Sequence, residues 1–376
     1  MRFADIPVHD SIKDRLRAMA DSGKIPHALL LEGPSGTGKL ALARAFAQYV
    51  HCTDRQNGDS CGKCASCIQH KAFSHIDTHY VFPVSKPEKS SSVSQPVSTD
   101  YLQEWRDYLT GRTYMDYERW TDVFRKKNAQ PCIYVSESNE LLRKLSFSTH
   151  ASDYKIVIIW LPEKMNVEAA NKLLKMVEEP YGDTLFVMAS DNPKLILPTI
   201  YSRLQRIRVG RLSDAFVAGT LTSMGMDQTD ATAIAHLAEG SMTAALHSLE
   251  TAGDDASRFD LFTRLMRLAY QRKIAELREW GATLSSLGRE KEIKFYDYAV
   301  RFIRENFVYN FGIPEISYLN SSESQFSRNF ARFITEANVE KLVEVFTNAR
   351  TDIAGNANGK IVNLDVAIKV ILLLKQ

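Results

Sequence analysis

A glycine-rich segment at residues 33–40 has the spacing of a phosphate-binding loop but lacks the residue that completes a magnesium site. The pattern G-x-x-x-x-G-K is complete, and its glycines let backbone N–H groups surround a phosphate while Lys39 reaches the outer phosphates. An active loop continues with a hydroxyl that binds Mg²⁺, whereas this chain continues with Leu40. The candidate nucleotide-binding residues are Gly33, Ser35, Gly36, Thr37, Gly38, Lys39 and Leu40. We expect a loop that can bind ATP or ADP without hydrolysing it; the alternative is a loop that only turns the chain.

Four of the five cysteines are close together, at Cys52, Cys61, Cys64 and Cys67. Four thiolates are enough for a closed tetrahedral Zn²⁺ site, and the two C-x-x-C spacings are typical of zinc modules. The alternatives are a redox-active pair, which would explain only two of the four, or buried free thiols. The odd total and the absence of an apolar signal core at the N-terminus argue against a disulfide framework. We expect structural zinc that stabilises the local fold.

The overall composition is that of an ordinary globular protein with almost balanced charge. The chain has 376 residues, 44% of them hydrophobic, and a formal net charge of +2. This length favours two or three domains. The small charge creates no general attraction for nucleic acid, so any DNA contact must be local or come through partners. No uncharged run approaches the roughly 20 residues of a membrane span. We expect a cytoplasmic protein without membrane contact.

Strand and helix patterns alternate around the glycine loop. Residues 27–32 form an apolar run that enters the loop, and residues 40–50 have apolar side chains at helical spacing. Further along, 155–160 and 184–189 predict buried strands, with an amphipathic helix at 167–177 between them. The alternation predicts a doubly wound α/β domain with a parallel sheet and flanking helices. Beyond about residue 209 the pattern is helical to the end of the chain.

A segment between the cysteines and the second predicted strand is rich in aromatic residues. Residues 85–98 are rich in Ser and Pro and indicate a loop, whereas 101–124 carry several Trp, Tyr and Phe residues among charges. These aromatic side chains could contact DNA or a partner, together with the basic residues 125–127. Aromatic residues among charges are more often packing residues, and we favour that interpretation.

The order of these motifs resembles that of bacterial clamp-loader subunits, the AAA+ proteins that load the sliding clamp for DNA polymerase III. The similarity covers residues 1–84 and 133–250 and is weaker over the C-terminal helices. The motifs that carry it are Gly33–Lys39, the four cysteines, 170–174 (A-N-K-L-L), 178–180 (E-E-P) and 202–203 (S-R).

This resemblance implies three domains. Residues 1–208 would form an AAA+ phosphate-loop domain that carries the zinc module at 52–67, with an insertion at about 86–131. Residues 209–252 would form a small helical lid. Residues 253–376 would form an all-α collar domain that holds the subunits of the loader together.

Three positions resemble the delta-prime type of the family, which does not hydrolyse ATP, rather than the motor type. Leu40 replaces the hydroxyl that binds Mg²⁺. Residues 160–162 (W-L-P) stand where motors have an Asp-Glu pair, and Thr243 stands where they have a phosphate-sensing Arg. Phosphoryl transfer depends on positioned metal and charge, so we expect no ATPase activity. The main alternative is an active motor that uses an acid from an unexpected position, such as Glu163.

The resemblance also implies roles for two residues near the end of the first domain. Arg203 stands at the Arg of the family's Ser-Arg-Cys motif, an arginine finger that acts in trans on ATP in the neighbouring subunit. Leu204 replaces the Cys of that motif, and the alternative is a solvated charge beside Arg206 and Arg208. Ser190 stands where the family has a sensor of the γ-phosphate, although a simple strand-end hydroxyl explains it equally well.

The expected partners follow from the same resemblance. They are the clamp-loader ATPase subunits of the gamma/tau type and the delta subunit, with the sliding clamp and primer-template DNA contacted through the complex. The alternative from another class is a stand-alone nucleic-acid-binding protein that uses the zinc module and the aromatic segment. The nearly neutral charge argues against it.

Overall fold

The computed structural model describes residues 1–86, 95–124, 130–147, 149–313 and 319–374, without the side chains of 250–255 and 321. The chain divides into two compact units. The first comprises Met1–Ser213 and Glu239–Ala244, and the second comprises Asp214–Ala238 and Ala245–Gln376. The division into three domains at residues 208 and 252 stays a prediction.

A five-stranded parallel sheet forms the centre of the first unit. The strands are β1 (Ala28–Glu32), β2 (Thr78–Val81), β3 (Lys155–Trp160), β4 (Thr184–Ser190) and β5 (Gln205–Arg208). Their order across the sheet is β2-β3-β4-β1-β5, and every neighbouring pair is parallel. Parallel strands need crossover connections, and these place helices on the faces of the sheet.

The described part of this unit contains eight α-helices and the first turn of a ninth, which begins at Met242. They are α1 (Asp10–Asp21), α2 (Lys39–His51), α3 (Ala65–Lys71), α4 (Leu102–Leu109), α5 (Tyr117–Asp122), α6 (Val135–Leu145), α7 (Val167–Glu178) and α8 (Pro198–Tyr201).

Alternate residues of the strands point into two separate cores. Leu29 and Leu31 of β1 pack with residues of α1, α2, α4 and α5. Ala28 and Leu30, on the opposite face, pack with residues of α6, α7 and α8. All five residues of β1 are buried. The predicted α/β phosphate-loop domain is therefore confirmed, and the structure adds the edge strands β2 and β5 to the three predicted strands.

The aromatic segment packs into the first of these cores. Trp105 and Trp120 are completely buried, and the Trp120 indole donates a hydrogen bond to the carbonyl oxygen of Pro83 at 2.6 Å. The Trp105 ring stacks on Phe82 with 4.1 Å between ring centroids and lies 5.2 Å from the ring of Trp160. The interpretation of these aromatic residues as packing residues is confirmed, since Trp105, Tyr108 and Trp120 are buried and the other aromatic residues of 101–124 are half-buried.

The second unit is helical. Its helices are α9 (Asp214–Ser223), α10 (Gln228–Leu237), α11 (Met242–Gln271, whose first turn belongs to the first unit), α12 (Ile274–Ser286), α13 (Arg289–Tyr309), α14 (Ser321–Phe330), α15 (Val339–Ala354) and α16 (Gly359–Leu373). Trp280, Phe302 and Phe346 are among the residues of its core. Among the described residues, no helix is both long enough and apolar enough to cross a membrane.

We predict that Trp105→Ala lowers the stability of the first unit by about 3–5 kcal/mol, because the substitution leaves a large cavity between α4 and the sheet. Tyr181→Ala, at an aromatic residue that is 50% exposed, is the control and should change stability little. Thermal unfolding followed by circular dichroism would measure both. Similar melting curves for the two variants would contradict the buried position of Trp105.

Candidate functional site

The phosphate loop forms the turn between β1 and α2. Gly36 and Gly38 have positive φ angles of 74° and 88°, which glycine adopts without steric cost. Gly33 is required for another reason, since a Cβ at this position would collide with the backbone carbonyl of Val209. The loop therefore keeps the backbone shape that its sequence predicts.

The side chains of Thr37 and Leu40 have partners within the chain: one binds the loop backbone and the other packs in the core. The Thr37 hydroxyl donates to the carbonyl oxygen of Pro34 at 3.1 Å. Leu40, where an active loop has its magnesium ligand, is buried in the core beside the sheet. Ser35 is half-buried.

Lys39 already has a carboxylate partner within the chain. Its ammonium group lies 2.8 Å from the Asp191 carboxylate and also donates to the carbonyl oxygen of Pro34. The Lys39 side chain is only 4% exposed, and Asp191 directly follows β4. Removing water from an ammonium group is costly unless an opposite charge replaces it. Asp191 supplies here the negative charge that phosphates supply in an occupied loop.

Little space remains above the loop. The cavity there measures about 10 Å³, which is close to the minimum that a single water molecule needs. Its lining residues are Gly36, Gly38, Lys39, Leu40, Thr113, Met115, Trp160, Ala189 and Asp191. Two of these residues, Thr113 and Met115, come from the described part of the predicted insertion.

The end of β3 carries no acid. Trp160 ends the strand and packs in the aromatic core, and Leu161 and Pro162 turn the chain away. The Glu163 carboxylate accepts hydrogen bonds from the backbone N–H groups of Asp191 and Asn192 at 2.8 and 2.9 Å. Burial raises the pKa of Glu163 above its ordinary value. Glu163 therefore holds the turn after β4, and it is not among the residues that line the cavity.

Ser190 and Thr243 lie near the loop from two directions. Ser190 ends β4, pairs with Glu32 in the sheet and is completely buried. The backbone N–H of Met242 donates to the carbonyl oxygen of Gly36 at 3.1 Å. A Cβ at Gly36 would collide with the Thr243 hydroxyl. The structure thus places Thr243 against the phosphate loop, where a neutral hydroxyl supplies no positive charge.

Arg203 follows α8 and forms an ion pair with Glu178, the last residue of α7. Its guanidinium also donates to the carbonyl oxygen of Thr199 at 2.8 Å. The Arg203 side chain is 41% exposed. It therefore lies at the surface and is held there by two contacts within its own chain.

The four cysteines form a compact cluster. Their sulfur atoms lie within 4.8 Å of one another, and none forms a disulfide. The sulfur atoms of Cys61 and Cys67 are 3.9 Å apart, close to the roughly 3.8 Å that a tetrahedral site with Zn–S bonds of about 2.3 Å requires. Backbone N–H groups of Lys63 and Cys64 donate to the Cys61 sulfur at 3.4 and 3.3 Å. The donor set and its spacing fit Zn²⁺.

Three buried histidines, His51, His70 and His75, form a second cluster, with their ring nitrogens within 4.8 Å of one another. Nδ1 of His51 lies 2.9 Å from Nε2 of His70, and the rings of His51 and His75 stack with centroids 4.3 Å apart. Nε2 of His51 lies 2.9 Å from the carbonyl oxygen of Tyr154 and Nε2 of His75 lies 3.1 Å from the Ser66 hydroxyl. Burial lowers the pKa of His51 to about 3 and that of His70 to about 2. The low pKa values favour neutral rings in this hydrogen-bonded and stacked group.

Sequence reasoning did not identify the residues that close the phosphate loop. Asp191, Thr113 and Met115 were not among the candidates, and neither was Glu178, the partner of Arg203. An acid two residues after the predicted strand 184–189 was a usable signal for Asp191, because the ends of parallel strands meet at one edge of a sheet. Nothing in the local sequence indicates that residues 113–115 reach the loop.

A parallel sheet with a phosphate loop between its first strand and the following helix defines the class of P-loop proteins. Residues 8–213 match the model of a family described as DNA polymerase III, delta subunit. That match covers more than half of the chain, and the chain belongs to this family of bacterial clamp-loader subunits. The resemblance that the motif order predicted is confirmed.

Individual proteins that are similar to this chain are also DNA polymerase III subunits. The chain is 32% identical to DNA polymerase III subunit delta' of Pseudomonas aeruginosa over 177 residues, which cover 47% of this chain and 41% of the relative. It is 26% identical to subunit tau of Bacillus subtilis over 257 residues, 67% of this chain and 38% of the relative. The chain thus spans about two fifths of the length of these relatives. A solved gamma subunit-related protein of Thermotoga maritima is 13% identical, with a TM-score of 0.40 and coverage of 96% of this chain and 99% of that one.

We predict one zinc ion per chain, held by the four cysteines. Cys64→Ser should remove most of the metal and lower the thermal midpoint, because metal binding contributes directly to folding free energy. Metal analysis by mass spectrometry and thermal unfolding would measure both effects. Cys132→Ser, at the cysteine outside the cluster, is the matched control and should retain zinc. Protein purified without chelator but free of zinc would refute the assignment.

Proposed function

We propose that the chain acts as the delta-prime-type subunit of a clamp loader, a member that does not hydrolyse ATP and supplies Arg203 in trans to a neighbouring ATPase subunit. The observation that carries this proposal is the contrast between two sites. The phosphate loop lacks its magnesium ligand and has Lys39 bound to Asp191, whereas Arg203 lies at the surface. A relative named delta' is among the most similar proteins.

We infer the lack of ATP hydrolysis from charged and metal-binding groups that the site does not have. Transfer of the γ-phosphoryl group requires Mg²⁺, an acid that positions the metal or water, and positive charge at the transferred group. Leu40 and Trp160 are both buried apolar side chains, and neither can bind a metal. Glu163, the first acid after β3 in the sequence, is bound to two backbone N–H groups of the turn after β4, and Asp191, which lines the cavity with Trp160, is paired with Lys39. This arrangement argues against the alternative of an active motor.

We predict that the isolated chain shows no Mg²⁺-dependent ATP hydrolysis above that of its Lys39→Ala variant. Steady-state phosphate release would measure both proteins under the same conditions. Activity that disappears in Lys39→Ala would mean that other groups replace the missing ligands, and the motor function would then be favoured.

The proposed role of Arg203 rests on its chemistry and position. A guanidinium group stabilises charge that develops on phosphoryl oxygens, and one such finger is worth roughly 10³–10⁵ in rate. In this chain the Arg203 side chain is 41% exposed and its guanidinium group is bound to Glu178. That ion pair is exchangeable, because a pair at the surface contributes little free energy. A neighbour's triphosphate, with greater charge, can displace the carboxylate.

The proposed partners are those of a loader. They are ATPase subunits of the gamma/tau type, which Arg203 would face, and the delta subunit. The sliding clamp and primer-template DNA would be contacted through the complex. The second unit, helical in its described residues, would provide the collar contacts that hold the subunits together.

We predict that Arg203→Ala leaves the fold and the assembly of the loader intact but lowers ATP hydrolysis by the assembled complex to the rate of its remaining sites, because one site loses its finger. Arg203→Lys should restore little, since an ammonium group lacks the planar fork of guanidinium. Arg206→Ala, at an exposed arginine of β5, is the matched control. An unaltered rate for Arg203→Ala in a complete complex would refute the role.

A further inference from the structure

The insertion places its central turn directly over the phosphate loop. Helices α4 and α5 are joined by residues 110–116, and Thr113 and Met115 of this turn line what remains of the cavity. The Tyr114 ring lies 3.5 Å from where a Cβ on Gly38 would stand. The turn thus occupies the side of the loop on which Gly38 and Lys39 would meet a phosphate.

Buried contacts fix the turn in this position. The Tyr108 hydroxyl accepts a hydrogen bond from the backbone N–H of Asp116 at 2.7 Å and donates one to its carbonyl oxygen at 2.5 Å. The Asp116 carboxylate caps α5 by accepting from the N–H of Glu118 at 2.9 Å. Met115 is only 6% exposed. The turn is therefore part of the core and not a loose surface loop.

The missing acid and the insertion are physically connected. Trp160 stands where motor subunits have their acidic pair, and its ring lies 5.2 Å from Trp105 and 6.2 Å from Tyr108. Both partners belong to α4. An acid at the end of β3 would be buried against these rings while Lys39 is already paired with Asp191, at considerable desolvation cost. The aromatic side chain that removes catalysis also provides the surface on which the insertion packs.

The remaining space and charge exclude a bound phosphate in this arrangement. A volume of about 10 Å³ has room for about one water molecule, and a phosphate group is larger than a water molecule. The positive charge of Lys39 is already neutralised by Asp191 at 2.8 Å. A nucleotide would have to displace the turn and also approach the Asp191 carboxylate.

We propose that residues 113–115 are an internal plug that takes the place of the nucleotide phosphates, so that the chain binds neither ATP nor ADP. The loop is kept as a structural element whose lysine is satisfied by Asp191 and whose glycines are covered by the plug. This assigns a function to the insertion, which fills a site that other phosphate loops leave to a ligand. The sequence led us to expect a loop that binds nucleotide; in this proposal the loop is instead closed by residues of its own chain.

The test is nucleotide binding by the full chain, with ATP and ADP as probes, with and without Mg²⁺. Isothermal titration should find no saturable binding to the unaltered protein. A plug variant, Tyr114→Gly with Met115→Gly, should gain saturable binding, because the glycines and Lys39 of the loop remain. Adding Lys39→Ala to the plug variant should abolish the gain. Saturable binding by the unaltered chain that Lys39→Ala removes would overturn the proposal.

Two further variants separate the plug from other causes. Asp191→Asn alone frees Lys39 but leaves the plug in place, so it should gain no binding; a gain would show that the ion pair closes the site, and the plug would be refuted. Tyr181→Gly, at an exposed aromatic residue, controls for general loosening. Circular dichroism verifies that the plug variant folds, and a folded variant without nucleotide binding would also refute the proposal. If the double substitution unfolds the chain, Met115→Gly alone takes its place and must gain binding.

Discussion

The structure around the phosphate loop depends on one electrostatic constraint: a buried ammonium group must have an opposite charge beside it. Lys39 is 4% exposed, and Asp191 provides that charge at 2.8 Å. Because Asp191 follows β4, the ion pair joins the turn after β4 to the loop after β1. Glu163, after β3, binds the N–H of Asp191 at 2.8 Å. The ends of three neighbouring strands are therefore tied together by side chains, without a ligand.

The parts of the fold that could be predicted are those whose signal is local. Strands β1, β3 and β4 lie in the interior of the sheet and are buried along their whole length, so each appears as an apolar run. The edge strands differ. β5 (Gln205–Arg208) has one buried residue, Ile207, among exposed ones. Its strand conformation comes from pairing with β1. Four residues with a single apolar side chain are too few to show the alternation of apolar and polar residues that predicts a strand.

The same distinction separates the predicted and the missed site residues. The cysteines are close in sequence, so their spacing alone predicts a cluster, and the structure brings their sulfur atoms within 4.8 Å of one another. Lys39 and Asp191 are far apart in sequence and meet only because β1 and β4 are neighbours in the sheet. Strand order is a property of the whole fold and cannot be read from one segment. Met115 reaches the loop for a similar reason, since its position depends on the packing of α4 against Trp160.

A closed phosphate loop has a mechanical consequence for the proposed arginine finger. In a nucleotide-binding subunit, gain and loss of the γ-phosphate alter the contacts at the ends of β1, β3 and β4 and so shift the helices that follow them. Here those strand ends are fixed by the Lys39–Asp191 pair and by buried aromatic rings. Helices α7 and α8, which carry Glu178 and lead into Arg203, follow β3 and β4. In a subunit that binds no nucleotide, the helices next to Arg203 would therefore keep one position. The neighbouring ATPase alone would then determine when ATP is hydrolysed at that interface.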